Sequence, residues 1–148
     1  GNLEAAREYT HGMELLAALR LCANVPGQWA VQTALGGFQS IHELVQPGGR
    51  LYQQRQVVID RVAASQYLDL HKPMGAMYAF IRLDDRFAGK LDDRGFAQEL
   101  LEDKHVLVAP GSSFNTPYTD HFRITTLPDV DTLHLVFDRV DELLAAHA

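Results

Sequence analysis

An arginine stands in the middle of a segment that is otherwise typical of a buried strand, residues 120–126 (DHFRITT). Side chains alternate across a strand, so Phe122 and Ile124 share one face and Arg123 points to the other. A guanidinium that leaves water needs an anionic partner, and its planar fork suits a carboxylate or phosphate bound through two N–H groups. Two interpretations stay open here: an internal ion pair with an acidic side chain, or an anionic ligand.

The loop that precedes this strand, residues 111–117 (GSSFNTP), is polar and rich in turn-forming residues. A polar loop that leads into a rigid strand is the usual arrangement of a binding loop and its support. An ordinary connection has the same composition. The loop is therefore a candidate site only together with Arg123.

A serine hydrolase would need Ser112 or Ser113 beside His121 and Asp120. No nucleophile-elbow pattern surrounds either serine. Adjacent residues of a strand point to opposite faces, which predicts that Asp120 and His121 do not meet. The sequence does not favour this chemistry.

The sequence contains no motif typical of a metal site or a nucleotide site. The seven histidines include no pair at the i, i+3 or i, i+4 spacing that places two ligands on one helical face, so no metal site is predicted. No glycine-rich phosphate loop follows a predicted strand. The acidic pairs at 84–85 and 92–93 are interpreted as solvated turn residues and helix caps.

The composition is typical of one globular domain with a full core: 148 residues, 47% hydrophobic, with a formal net charge of -6. The acidic balance and dispersed basic residues argue against nucleic acid as a partner. No apolar stretch approaches the length of a membrane span. The single cysteine, Cys22, fits a reducing compartment and is expected to be a buried structural thiol, and the chain is expected to be cytoplasmic. It begins with Gly1, which suggests a processed tag or an excised fragment.

Hydrophobic periodicity predicts three helices, then a small mixed or antiparallel sheet of three to four strands packed against two more helices. The second helix is expected to contain Gly36 and Gly37 in its interior. This arrangement is an α+β, two-layer small domain. The predicted helices cover about 3–21, 29–45, 49–64, 92–104 and the segment after 128, and the strands cover 67–71, 76–83, 106–109 and 120–126.

Three motifs carry a family resemblance: 72–80 (KPMGAMYAF), 106–114 (VLVAPGSSF) and 120–124 (DHFRI). In this order and spacing they resemble the C-terminal small domain of class I/II aminotransferases of the pyridoxal-phosphate fold-type I family. The runs 20–26 (RLCANVP), 32–37 (QTALGG) and 47–52 (PGGRLY) resemble the bacterial alanine (glutamate-pyruvate) aminotransferases within it.

The resemblance implies roles for particular residues. Arg123 matches the arginine that binds the α-carboxylate of the substrate, which would be the anion that the strand pattern requires. Phe114 and Asn115 match the loop beside it and are expected to line the substrate pocket. Asn24 and Arg20 match a segment that can approach the active site of the partner subunit, although ordinary helix-end roles are an alternative for both. The expected parent is a homodimer that acts on amino acids and 2-oxo acids with pyridoxal phosphate.

The sequence shows no lysine in a setting typical of cofactor attachment. Lys72, Lys90 and Lys104 are the only lysines, and none occurs in a Ser-x-x-Lys or Ser-Lys setting. Residues 1–148 are therefore predicted to be a separated small domain, with residues 1–45 as the helical connection to a missing large cofactor-binding domain. The isolated chain is expected to be inactive and to bind neither cofactor nor metal. The alternatives are the small domain of a fold-type I lyase or decarboxylase, and a free-standing α+β small-molecule-binding module.

Overall fold

A computed structural model describes residues 6–148 of the chain, which divide into two compact units, one ending at Ser40 and one spanning Ile41–Ala148. The first unit contains helices α1 (Arg7–Leu19) and α2 (Val25–Gly36), neither of which has a buried residue. The predicted start of the first helix near Leu3 lies outside the described residues. Within residues 6–148, no helix combines the length and the apolar character that crossing a bilayer requires.

The prediction of one helix over 29–45 is wrong, because the chain leaves the helical conformation at its two glycines. Helix α2 ends at Gly36, and Gly37 is extended while its N–H still bonds the carbonyl of Thr33. A Cβ on Gly37 would collide with that carbonyl. The pair therefore ends the helix instead of kinking it, and helix α3 (Ile41–Val45) begins the second unit.

The expectation of a buried thiol at Cys22 is also wrong, because Cys22 is exposed. It lies between α1 and α2, and its neighbour Leu21 is 87% exposed. The apolar neighbours that suggested burial are therefore themselves in contact with solvent.

The second unit contains the sheet and the remaining helices. The secondary structure after α3 is, in chain order, α4 (Arg50–Ala64), β1 (Leu68–Leu70), β2 (Tyr78–Leu83), a 3₁₀ helix (Asp85–Phe87), α5 (Asp93–Lys104), β3 (Ala109–Pro110), a second 3₁₀ helix (Gly111–Phe114), β4 (His121–Thr125) and α6 (Val130–His147). Carboxylate side chains begin two of these helices: Asp92 accepts from the N–H of Gly95, and Asp129 accepts from that of Thr132.

The sheet is antiparallel throughout, with the strand order β1-β2-β4-β3. The two inner strands, β2 and β4, correspond to the strands predicted over 76–83 and 120–126. Their register places Phe80 opposite Arg123, and Arg82 opposite His121. Because directly paired residues share a face, the side chains of β2 and β4 form two surfaces.

One surface packs on the helices and the other does not. The inner face contributes Ile81, Leu83 and Phe122 to the core, where Phe122 meets Phe96 of α5 with ring centroids 4.7 Å apart. The outer face is defined as the opposite surface, which carries Tyr78, Phe80, Arg82, His121, Arg123 and Thr125. The predicted α+β, two-layer fold is confirmed, with a four-stranded sheet.

The predicted strand over 106–109 is mostly absent. Pairing with β4 includes only Ala109 and Pro110, although the preceding residues alternate as a strand would, with Leu107 79% exposed and Val108 buried. His105 adopts the left-handed conformation (φ 55°) that closes α5, and Val106 still donates its N–H to that helix. These residues therefore finish the helix before the chain reaches the sheet edge.

Candidate functional site

Arg123 lies near the middle of β4, half-buried on the outer face. Its backbone pairs with Phe80 on one side and Ala109 on the other. The neighbouring positions Phe122 and Ile124 are buried on the inner face. The alternation predicted from the sequence is confirmed, and it fixes the direction of the arginine.

The guanidinium of Arg123 lies over two aromatic rings. Its central carbon is 4.4 Å from the ring centroid of Tyr78 and 4.4 Å from that of Phe114. No carboxylate oxygen of residues 6–148 comes within 4 Å of it, so the internal ion pair considered as an alternative is not formed within the part of the chain that the structure describes. Aromatic faces attract a cation but do not use its N–H donors. The fork is thus held in place while its donors stay available to an anion.

The 3₁₀ helix that carries Phe114 is anchored to the fold on two sides. Gly111 lies so close to β4 that a Cβ would come 2.6 Å from the carbonyl oxygen of His121. The N–H of Ser112 donates to the carboxylate of Asp93 across 2.7 Å, and Asp93 is only 1% exposed. The expectation that Asp93 is solvated is therefore wrong: it is a buried acceptor that fixes the binding loop.

Asn115 follows Phe114 and ends the 3₁₀ helix in the left-handed conformation (φ 56°). Asparagine tolerates this conformation better than most residues, which gives it a backbone role. Its side chain is exposed, and its expected place in a substrate pocket stays a prediction.

Arg82 lies on the same outer face but in a different environment. Its Nε donates to Asp120 across 2.9 Å, and its Nη2 pairs with Asp85. These contacts raise the pKa of Arg82, through the hydrogen bond to Asp120 first and the charge of Asp85 second. Its Nε and Nη2 are paired with internal carboxylates, so Arg82 has the ion-pair role that one interpretation gave to Arg123.

Asp120 also bonds His121, which the strand argument predicted would not happen. The carboxylate lies 2.6 Å from Nδ1 of His121, because Asp120 precedes the first residue of β4 and is not bound to the alternation of the strand. Burial raises the pKa of Asp120, but the hydrogen bonds from Arg82 and His121 outweigh it and leave the pKa below its ordinary value. Among the described residues, neither Ser112 nor Ser113 bonds His121, so the dyad lacks a nucleophile.

Asn24 and Arg20 lie in the first unit, at the ends of its helices. Asn24 caps α2, where its side chain accepts from the N–H of Gly27 across 2.9 Å. Arg20 occupies the C-cap position of α1. The helix-end roles are confirmed, and the approach of this segment to a partner's active site stays a prediction.

The described residues do not fit a pyridoxal-phosphate site. Lys104 pairs with Glu142 across 2.8 Å at the end of α5, and Lys72 and Lys90 are exposed between elements. A Schiff-base lysine must lie beside an acidic residue that pairs with the pyridinium nitrogen and beside a phosphate-binding loop. None of these three lysines has such surroundings among the described residues. The described part of the chain also holds no cluster of three or more metal-ligating side chains.

A family model for "Aminotransferase class I and II" matches residues 7–139. This chain belongs to the class I and II aminotransferase family. The match includes both units and all three motifs recognised in the sequence. The suspected family is thereby confirmed.

Named aminotransferases match along almost the whole chain. Glutamate-pyruvate aminotransferase AlaA of Escherichia coli (strain K12) is 42% identical over 147 residues, covering 99% of this chain and 36% of that protein. Alanine aminotransferase of Mycobacterium tuberculosis (strain ATCC 25618 / H37Rv) is also 42% identical over 147 residues, covering 99% of this chain and 34% of that protein. The chain thus spans about a third of the length of these aminotransferases.

Solved aminotransferase structures have the same fold. An aminotransferase from Escherichia coli aligns with a TM-score of 0.78 at 43% identity, covering 98% of this chain and 36% of that one. Alanine aminotransferase from Pyrococcus furiosus aligns with a TM-score of 0.74 at 28% identity, covering 99% and 35% respectively.

Sequence reasoning missed Tyr78 as a site residue of this aminotransferase domain. The residue stands inside the motif 72–80, but its contact with Arg123 depends on the register between β2 and β4. Alternation alone places Tyr78 and Phe80 on one face of β2. It does not say which strand lies beside that face, so no local signal identifies the pair.

Proposed function

We propose that this chain is the carboxylate-binding part of an aminotransferase that moves an amino group between an amino acid and a 2-oxo acid. Alanine with pyruvate, and glutamate with 2-oxoglutarate, are the leading pairs, in line with the names of two relatives, a glutamate-pyruvate aminotransferase and an alanine aminotransferase. The observation that carries the proposal is the guanidinium of Arg123, which lies over the rings of Tyr78 and Phe114 with no internal carboxylate among residues 6–148.

In this function Arg123 binds the α-carboxylate of the substrate through two parallel N–H bonds. Such a contact fixes both the position and the rotation of the carboxylate, and so directs the Cα substituents. Phe114 and Tyr78 lie against the same guanidinium and border the place where the substrate would bind. Pyridoxal phosphate, which the family implies for the full-length protein, would be held by residues outside this chain.

The isolated chain is proposed to be inactive because it lacks a fitting lysine site. Added pyridoxal phosphate should give no stoichiometric aldimine absorbance with the purified 148 residues. A stoichiometric aldimine at Lys72, Lys90 or Lys104 would contradict this. The homodimeric state and cytoplasmic location of the parent stay predictions from the resemblance.

The reaction class is tested on the full-length protein. It is incubated with L-alanine and 2-oxoglutarate, and pyruvate and glutamate are measured together with ammonia and carbon dioxide. Transamination releases pyruvate and glutamate in equal amounts. In a parallel incubation with L-serine, whose β-hydroxyl can leave, net ammonia would indicate elimination. Net carbon dioxide from either amino acid would indicate decarboxylation, and either as the main product would overturn the proposal.

A further inference from the structure

We propose that Tyr78 and Phe114 form an aromatic clamp that sets the plane of the Arg123 guanidinium before any ligand arrives, so that both are positioning residues for carboxylate binding. The inference rests on the proposed function for its ligand, but the clamp itself is a property of this chain. It identifies Tyr78 as a residue of the site and gives Phe114 a role through the arginine.

The central carbon of the Arg123 guanidinium lies 4.4 Å from each of two ring centroids, and the rings come from two separate segments. A guanidinium is planar, and its five N–H donors lie in the plane, along the edge. In the proposed clamp the rings stack on the faces of the cation, restrict rotation out of its plane and leave the edge to a ligand. A carboxylate bound in bidentate fashion must approach along the edge, in the same plane.

The two rings are fixed by independent parts of the fold. Tyr78 belongs to β2, where its backbone pairs with Thr125 of β4. Phe114 belongs to the 3₁₀ helix that Asp93 anchors, and it packs edge-on against Phe80 with ring centroids 6.3 Å apart. The orientation of the arginine is therefore set by the sheet and by the loop together.

Arginines elsewhere in the described residues show that an aromatic neighbour alone does not make such a site. Arg61 lies over Phe137 and also pairs with Asp138 across 2.7 Å. Arg86 lies over Tyr67 and also pairs with Asp84 across 2.9 Å.

Arg123 differs from both, since it has two rings and, within residues 6–148, no carboxylate. A long side chain loses rotamer freedom when it binds, which weakens affinity. The clamp removes much of that loss in advance, because folding has already ordered the side chain. We therefore expect the rings to strengthen carboxylate binding without touching the reacting bonds.

The clamp is tested first in the 148-residue chain by nuclear magnetic resonance of the arginine Nε–Hε groups. Two stacked rings should shift the Arg123 Hε signal upfield and give it a high order parameter. Tyr78→Leu and Phe114→Leu should each reduce both effects, whereas Tyr78→Phe keeps them. Tyr118→Leu is the matched control, because it removes another aromatic side chain near His121 that does not lie over Arg123.

An Arg123 signal that is unshifted and mobile in the unsubstituted chain, or unchanged in both leucine variants, would overturn the clamp. Backbone amide dispersion of β4 reports folding in each variant, and Tyr78→Phe supplies the folded comparison if a leucine variant unfolds.

The second arm measures kinetics in the full-length aminotransferase. Each leucine variant should raise KM for the amino acid by about three- to tenfold and leave kcat within about twofold, because uniform binding is lost. Tyr78→Phe should restore KM. Equal KM values in all variants would overturn the positioning role. Absence of any transamination in the unsubstituted protein would instead overturn the proposed function, and the resonance experiment would still decide the clamp.

Discussion

Arg82 and Arg123 stand on the same face of the same sheet, and their surroundings give them different uses. Arg82 donates to Asp120 and pairs with Asp85 within the chain. Arg123 lies over two aromatic rings, and the described residues offer it no carboxylate. Partner chemistry, more than position on the face, therefore distinguishes an arginine paired with internal carboxylates from the one proposed to bind a ligand.

The largest effect is expected on the free energy of unfolding, when a buried core side chain is removed from the sheet that carries both arginines. Phe122→Ala removes a fully buried ring next to Arg123, and should lower the free energy of unfolding by about 3–5 kcal/mol. Urea denaturation with circular dichroism measures this. Arg123→Ala, one position along the strand, is the control and should cost no more than about 1–2 kcal/mol, because it loses only the two ring contacts. Equal destabilisation by the two changes would show that Arg123 is a structural residue like Arg82.

A smaller loss is expected at the anchor of the loop beside Arg123. Asp93→Ala leaves the buried N–H of Ser112 without its acceptor, and should cost about 1–3 kcal/mol of stability. It should also release Phe114 from Arg123 and leave Arg82 ordered, which the Nε–Hε signals of the two arginines report separately. If both arginines lose order together, the comparison between two independent environments fails.

The sequence predicts the surroundings of Arg123 and of Arg82 only in part. The β-period placed Arg123 away from the core, and a polar loop beside it was recognised as a candidate site. The rings that clamp it could not be predicted from local pattern, because Tyr78 meets Arg123 only through the register of β2 on β4. Strand geometry favours an internal ion pair for Arg123 slightly over a ligand, whereas the structure forms such a pair at Arg82.

The errors in the prediction have physical causes at particular residues. Gly36 and Gly37 follow the helical period, but Gly37 takes an extended conformation that ends the helix locally. Asp93 has the sequence context of a solvated cap, yet the loop at Ser112 closes over it. Cys22 has apolar neighbours that do not bury it in the first unit. At Asp93 and Cys22, tertiary contacts or their absence outweighed a local signal.

The smallest effect concerns the acid sensitivity of the Arg82 environment. The pKa of Asp120 is lower in the folded chain than its ordinary value of 3.8, so its charge stabilises the fold above that value. This stabilisation is lost as the pH falls through the lowered pKa. Asp120→Asn should therefore reduce stability at pH 7, and in urea titrations the difference from the unsubstituted chain should shrink as the pH falls below 3.8 and through the lowered pKa. A difference that does not change with pH would contradict a charge-based role.

Two matched variants of the full-length aminotransferase give the most direct test of the role proposed for Arg123. Arg123→Ala removes the proposed contact with the substrate carboxylate and should lower kcat/KM about 10- to 160-fold, which corresponds to a loss of on the order of 1.5–3 kcal/mol of transition-state stabilisation. Arg82→Ala, on the same face, should change kcat/KM by less than about fivefold. An unchanged kcat/KM in Arg123→Ala, or an equal loss in both variants, would contradict the assignment of Arg123 as the substrate-binding arginine.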